Sequence, residues 1–182
     1  MQFKKKSAAT AVDKIKKLIR DVPDFPQPGI IFRDITPLLA EAVAFADTIA
    51  LLAERASFYR PDGIVAIESR GFIFGAALAL KLGLPLQLIR KQGKLPGECV
   101  STSYALEYGS AQVEIRADAI APGRAYALVD DLIATGGTAA AAVDLVELQK
   151  GSIACCVFVI ELDFLEGRKR LGARPIESLI HY

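Results

Sequence analysis

The sequence predicts an α/β fold in which a central, twisted, mostly parallel sheet is flanked by helices. Short apolar runs alternate with helical segments along the 182 residues, which is typical of a parallel sheet covered on both faces. Polar clusters directly follow four of the apolar runs, as expected where the carboxyl ends of strands meet at one edge. The length corresponds to a single domain, residues 1–182.

The N-terminal part is predicted as a helix, a loop and a second helix. Apolar residues at helical spacing between Val12 and Ile19 indicate an amphipathic helix with a basic outer face. Residues 22–37 contain four prolines and one glycine, so we expect a long, shaped loop without regular structure. Loops of this kind often bind ligands. The second helix is expected over about residues 41–55.

The rest of the chain is predicted to build the sheet. Gly63–Ile67 is expected to be the first central strand, and a helix of small residues follows near 72–82 and is closed by Gly83. The further elements are a strand at 84–89, a hairpin at about 100–115, a turn at 122–123, a strand at 125–129, a helix at 139–150, a strand at 153–161, a helical turn near 166–171 and an apolar tail.

The segment 129–138, with the sequence VDDLIATGGT, carries the most specific pattern. A tight turn with two glycines can point several backbone N–H groups at one spot, and the following helix adds its positive end. Such a nest fits a phosphate monoester, and the paired acids before it suit the hydroxyls of a sugar. The segment therefore predicts a sugar phosphate ligand. The alternative is a solvated acidic turn with a helix capped by Thr138.

This pattern resembles the signature of type I phosphoribosyltransferases, which bind 5-phosphoribosyl 1-diphosphate. Release of diphosphate needs positive charge, which Arg70 and the basic cluster Arg90, Lys91 and Lys94 could supply together with magnesium. Two glycines and Pro96 make the basic stretch suitable as a lid that closes over substrate. The alternatives are an ordinary solvated basic loop at 90–94 and a bare strand-end turn at 68–71.

Glu107 is the candidate for proton transfer. Its neighbours Leu106 and Tyr108 could keep the carboxyl partly dry, which raises its pKa towards neutral pH. A nucleobase that attacks through a ring nitrogen must lose one proton, and such a carboxyl could handle it. The alternative is a surface carboxylate on a hairpin.

Composition narrows the class of protein. The net charge of +1 gives no global attraction to nucleic acid or to an acidic membrane. Three cysteines, of which Cys155 and Cys156 are adjacent in an apolar run, favour a reduced intracellular protein with these two as core filler. Metal-ligand spacing is absent, and the lysines at 4–6 are not followed by the apolar segment of a secretion signal. No apolar stretch approaches the roughly 18 residues that span a bilayer, so we expect a cytoplasmic location.

Nearly the whole chain resembles the adenine phosphoribosyltransferase family, in the right order. The most telling segments are the proline-rich loop that ends in FRDITP (32–37) and the stretch RKQGKLP (90–96), because neither belongs to the general signature. The other matching segments are 25–31, 68–72, 106–109 and 130–138. The resemblance implies a type I phosphoribosyltransferase fold with a flexible lid, residues 90–109. It also implies an N-terminal hood, residues 1–40, that binds adenine.

The resemblance also implies residue roles. Arg70, Arg90 and Glu107 would be catalytic, and Arg90 could act in the neighbouring subunit's site. The phosphoribosyl group would be bound by Asp130, Asp131, Ala134, Thr135, Gly136, Gly137 and Thr138. The diphosphate would contact Glu68, Ser69, Arg70, Lys91 and Lys94, and adenine would contact Ile31, Arg33 and Leu162.

The implied enzyme is a homodimer that converts adenine and 5-phosphoribosyl 1-diphosphate to AMP and diphosphate in purine salvage. Magnesium would be carried by the substrate, with no direct protein ligand. Glu98 and the tail from Ser178 to Tyr182 have no role assigned by the resemblance. Two alternatives are a phosphoribosyltransferase for another nucleobase and a regulator that senses the ribosyl diphosphate.

Overall fold

The computed structural model describes residues 2–105 and 110–182, with side chains described from Thr10 onwards except at Ala105 and Ser110. The chain divides into two compact units, Met1–Leu51 and Leu52–Tyr182. Within the described residues, every helix is too short or too polar to cross a bilayer.

The first unit contains helix α1 (Gln2–Lys17), strands β1 (Arg20–Pro23) and β2 (Ile31–Asp34), helix α2 (Thr36–Ala40) and the start of helix α3 (Ala42–Phe58). The expectation that 22–37 holds no regular element is wrong, because β1 and β2 form an antiparallel pair. The prolines fall where they cost little: Pro23 ends β1, and Pro37 lies in the first turn of α2. These two prolines therefore lie at the boundaries of regular elements, and the proline content of the segment does not exclude such elements.

The second unit contains a seven-stranded sheet in the order β5-β6-β4-β3-β7-β8-β9. Neighbours from β4 to β9 in this order are parallel, and β6 is antiparallel to both β4 and β5. The fold class predicted from the sequence is thus confirmed. The elements are β3 (Gly63–Ile67), α4 (Gly71–Leu82), β4 (Leu86–Lys91), β5 (Cys99–Ala105), β6 (Ser110–Arg116), β7 (Ala125–Ile133), α5 (Gly137–Leu148), β8 (Ser152–Glu161) and β9 (Ile176–His181).

Two strands differ from the sequence expectation. Strand β7 continues to Ile133, so Asp130 and Asp131 lie within the strand and not after its end. The apolar tail forms β9, which pairs in parallel with β8 at the edge of the sheet. Arg90 and Lys91, placed in the lid by the sequence, are the last residues of β4.

Small residues bring the helices close to the sheet. A Cβ built on Gly75 would lie 2.4 Å from the Cβ of Ala66, so α4 approaches β3 more closely than any larger residue would allow. Ala139, Ala141 and Ala142 give α5 a similarly thin buried face. Burial raises the pKa of the Cys155 and Cys156 thiols to about 12, consistent with their predicted place in the core. The helices therefore begin directly above the carboxyl edge of β3 and β7.

Candidate active site

A cleft of about 450 Å³ opens at the carboxyl ends of the parallel strands β3, β4 and β7. This volume suits a small-molecule ligand. Its lining contains all of the predicted sugar-phosphate and diphosphate residues, because it consists of Glu68, Ser69, Arg70, Lys91, Lys94 and every residue from Asp130 to Ala139. Three of the four polar clusters predicted at strand ends thus meet in one place. The fourth, at 161–164, is not part of the cleft lining in the described residues.

Residues 134–138, which we call the glycine loop, connect β7 to α5. Gly136 has φ +77° and begins the helix without a side-chain cap. The N–H groups at the start of a helix have no partner within it, so this end of α5 offers donors and a positive dipole to an anion. Gly136 and Gly137 are buried and Thr135 is exposed. The loop has the geometry expected of a phosphate nest.

Two adjacent carboxylates lie next to this loop. Oδ1 of Asp130 accepts the N–H of Asp131 at 2.9 Å, and Oδ2 of Asp131 lies 2.8 Å from a guanidinium nitrogen of Arg70. Burial, and next the charge of Asp131, raise the pKa of Asp130. Burial raises the pKa of Asp131 as well, and Arg70 opposes that rise. A Cβ on Gly71 would lie 2.7 Å from Oδ1 of Asp130, so glycine at this position leaves the space that the acid occupies.

The carboxylate of Glu68 is surrounded by basic groups. Lys94 Nζ lies 2.8 Å from it, two guanidinium nitrogens of Arg90 lie at 3.3 Å, and the N–H of Lys91 donates at 2.9 Å. Burial alone would raise the pKa of Glu68, but these donors outweigh it and lower the pKa to about 2. Arg90 does not line the cleft in the described part of the chain, and its side chain turns to Glu68 instead. The peptide bond between Glu68 and Ser69 is cis.

Glu114 was missed by the sequence reasoning. Its buried carboxylate accepts the N–H groups of Lys94 and Leu95, both at 2.9 Å, and so holds the start of the predicted lid. Burial would raise its pKa, but the backbone donors of the lid lower it. Glu114 pairs with Arg90 between β6 and β4. This pairing depends on the register of a hairpin, and no local sequence signal gives that register.

The remaining predicted site residues are the candidate for proton transfer and the candidates for adenine binding. Glu107 lies outside the described residues. Ile31 and Arg33 lie on β2 in the first unit, where Ile31 is half exposed and Arg33 pairs with Asp21. Leu162 follows β8, and its N–H donates to the carbonyl oxygen of Ile133 at 3.0 Å, just before the glycine loop. The roles of these four residues stay predictions.

Comparisons with known proteins agree with this geometry. Residues 38–178 match the sequence model of the family described as phosphoribosyl transferase domain. The chain is 54% identical over 168 residues to the adenine phosphoribosyltransferase of Carboxydothermus hydrogenoformans, which covers 92% of this chain and 99% of the relative.

Solved structures are similar as well. The adenine phosphoribosyltransferase of Thermoanaerobacter pseudethanolicus superposes with a TM-score of 0.92 at 47% identity, over 94% of this chain and 99% of that one. The enzyme of Saccharomyces cerevisiae, crystallised with an imino-altritol bisphosphate and adenine, gives a TM-score of 0.88 at 43% identity over 94% and 99% of the two chains.

Proposed function

The chain belongs to the phosphoribosyltransferase family, among the adenine phosphoribosyltransferases, and from this membership we propose how its cleft works. The reaction transfers the phosphoribosyl group of 5-phosphoribosyl 1-diphosphate to N9 of adenine and yields AMP and diphosphate in purine salvage. The observation that carries the proposal is that the glycine loop, the paired acids and the basic turn of Arg70 line one and the same cleft.

The glycine loop binds the 5-phosphate of the substrate in this proposal. Ala134, Thr135, Gly136, Gly137 and Thr138 all line the cleft, and the uncapped start of α5 supports an anion there. The ribose hydroxyls donate to Asp130 and Asp131, which lie on the adjoining end of β7. The two parts of the sugar phosphate are thus fixed by neighbouring groups, which orients the anomeric carbon.

In this proposal the diphosphate contacts Glu68, Ser69 and Arg70, and Lys91 and Lys94 line the same cleft. Arg70 presents a planar fork, which matches phosphate oxygens and opposes the charge that develops on the leaving group. Arg90 and Lys94 are held nearby by Glu68 and can exchange that carboxylate for the diphosphate. Arg90 could instead act in a neighbouring subunit.

Magnesium fits this site as an ion carried by the substrate. It prefers oxygen ligands, and the cleft offers carboxylates. Yet Asp131 is paired with Arg70, Glu68 with Arg90 and Lys94, and Asp130 accepts a backbone N–H. These existing partners favour diphosphate and ribose oxygens as the main ligands, with Asp130 and Asp131 on the hydroxyls of that complex. Bound there, magnesium would neutralise part of the diphosphate charge.

The adenine-binding roles of Ile31 and Arg33 in the hood, and that of Leu162 in the second unit, are each carried over from the family resemblance. The lid, residues 90–109, would close over the bound substrates and exclude water, which otherwise hydrolyses a reactive sugar cation. Glu114 supports this role because it holds Lys94 and Leu95 near the N-terminal end of the lid through their backbone N–H groups. A location in the cytosol follows from the reduced state proposed for the buried cysteines.

Glu107→Gln is expected to lower kcat about 100-fold, because a positioned carboxyl that moves a proton typically contributes at least this factor. The amide is isosteric but cannot accept the proton from the purine. Turnover at saturating adenine and 5-phosphoribosyl 1-diphosphate measures the effect. Glu98→Gln, on the same stretch of chain, is the control and should retain full turnover. An unchanged kcat for Glu107→Gln would remove this residue from the mechanism.

We also propose that the protein is a homodimer that uses the outer face of α4. Ile73, Ala76 and Leu80 share one face of this helix, and Leu80 is 87% exposed. Leu88 on β4 is also exposed. A stripe of this kind on a soluble domain marks an interface more often than open surface.

Leu80→Asp is expected to weaken the dimer about 30-fold or more, the effect of losing a central apolar contact and burying a charge. Sedimentation velocity over a concentration series measures the dissociation constant. Leu148→Asp changes an equally apolar, exposed residue on α5 and should leave the dimer intact. A monomeric parent protein, or equal behaviour of the two variants, would contradict the proposed interface.

The activity is tested by measuring diphosphate release with adenine, hypoxanthine, guanine and orotate, each with and without magnesium. We expect diphosphate to be released from 5-phosphoribosyl 1-diphosphate only when adenine is the base and magnesium is present. Preference for another base would indicate a phosphoribosyltransferase of different specificity. No release with any base, together with salt-sensitive binding to DNA or RNA, would favour the regulator.

A further inference from the structure

The glycine loop rests against a second stretch of backbone. A Cβ built on Gly136 would lie 2.2 Å from the carbonyl oxygen of Gly167, and a Cβ on Gly167 would lie 2.1 Å from the carbonyl oxygen of Ala134. Real Cβ atoms do not approach backbone this closely, and both glycines are buried. The two main chains therefore touch with no side chain between them, and the position of Gly167 sets the position of the loop.

The residue after Gly167 is fastened to the sheet. Arg168 makes a two-pronged contact with Glu161 at 2.6 and 2.7 Å, and the hydroxyl of Ser178 donates to the same carboxylate at 2.6 Å. Glu161 is the last residue of β8 and is 4% exposed, and Ser178 lies on β9. The Arg168 fork is the main cause that lowers the pKa of Glu161. These three side chains, the Glu161 network, join the turn at Gly167–Leu171 to β8 and β9.

The same segment is held at two further points. Leu171 is fully buried in the core that includes the alanines of α5. The N–H of Leu162 donates to Ile133 immediately before the glycine loop. Residues 161–171 thus contact the loop at its entry and at its turn. Neither Arg168 nor Glu161 lines the cleft in the described part of the chain, so they act on the loop through neighbouring backbone, at Gly167 and at Ile133.

We propose that the Glu161 network positions the glycine loop for the 5-phosphate by holding the backbone of Gly167 against Ala134 and Gly136. This inference rests on the proposed phosphate-binding role of residues 134–138. Arg168 is then a positioning residue, and its planar fork matters as much as its charge. A lysine at this position keeps the charge but cannot bind both oxygens of Glu161 in one plane.

The test measures how tightly Arg168→Gln binds ribose 5-phosphate and inorganic diphosphate, which correspond to two parts of the substrate, in separate titrations. We expect the dissociation constant for ribose 5-phosphate to rise about tenfold, since small displacements of a binding loop have effects of this order. The constant for inorganic diphosphate, which binds at Arg70 in the proposed function, should change less than about twofold by the same reasoning. Calorimetric titration gives both values. Arg168→Lys should remain defective for ribose 5-phosphate, and Gly167→Ala should be at least as defective as Arg168→Gln.

The control is Arg124→Gln, which breaks the Arg124–Asp62 ion pair at the opposite end of the sheet. It should bind both ligands as the parent protein does. Should Arg168→Gln not fold, Ser178→Ala removes one donor from Glu161 and should raise the ribose 5-phosphate constant about threefold. The inference would be overturned if these variants bound ribose 5-phosphate as tightly as the parent protein does. It would also be overturned if the binding of both ligands were weakened equally. Neither result would contradict the proposed function. Absence of ribose 5-phosphate binding by the parent would overturn the proposed function as well.

Discussion

Gly136→Ala is expected to reduce kcat/KM for 5-phosphoribosyl 1-diphosphate about 1000-fold, or about 4 kcal/mol of transition-state binding. A Cβ at this position would lie 2.2 Å from the carbonyl oxygen of Gly167, so the glycine loop must move away from its support. The φ of +77° adds strain of about 1–2 kcal/mol for any residue other than glycine. The displaced N–H donors of the loop would then no longer bind the 5-phosphate, through which the substrate is held in the proposed function.

Gly123→Ala separates these two causes. Gly123 has φ +78°, almost the same as Gly136, but a Cβ there would meet nothing within 4 Å. It lies in the turn before β7, at the other end of the sheet from the cleft. We expect this variant to lose some thermal stability and to keep its kcat/KM. Similar kinetic losses in both variants would show that backbone strain, rather than the contact with Gly167, governs the loop.

Arg70→Gln is expected to lower kcat about 300-fold, because removal of one preorganised donor to developing charge typically has an effect of this size. Arg70 also lies 2.8 Å from Asp131 and opposes the rise in the pKa of that carboxyl. Without Arg70 the pKa of Asp131 rises further. The acid limb of the kcat/KM profile should therefore move to higher pH, since more base is needed to ionise the carboxylate.

A pH series with saturating adenine measures both effects. Arg70→Lys keeps a cation near Asp131 and should restore much of the acid limb, while kcat stays low because the fork is lost. An unshifted acid limb in Arg70→Gln would exclude Asp131 as the group that titrates there. A kcat within a few fold of the parent protein would exclude Arg70 from the stabilisation of the leaving group.

Local chemistry explains what the sequence could predict. The Thr-Gly-Gly-Thr turn needs a left-handed residue at Gly136 and opens a helix, and both properties depend on a few adjacent residues. The apolar run at Gly63–Ile67 predicts a strand at the observed bounds, and all five residues are buried in the structure. Gly83 closes α4 with φ +66°, as its position after the small-residue helix indicated.

Contacts between distant segments could not be predicted. Glu114 reaches the predicted lid through the register of β6 with β4, and Gly167 meets Gly136 only after the chain has passed through α5 and β8. The antiparallel pair of β1 and β2 is not predicted, because the proline density of 22–37 indicates a loop without regular structure. A proline forbids a backbone N–H donor at one position, and neighbouring positions remain free to pair.

Glu68 gives the cleft a built-in competitor for its own cations. In the proposed reaction, an arriving diphosphate takes Arg90 and Lys94 from a carboxylate that already holds them. The affinity for diphosphate is then the difference between two sets of ion pairs rather than the full strength of one. When the product departs, Glu68 recaptures the cations, so the enzyme is spared from being trapped by the anion it has just made.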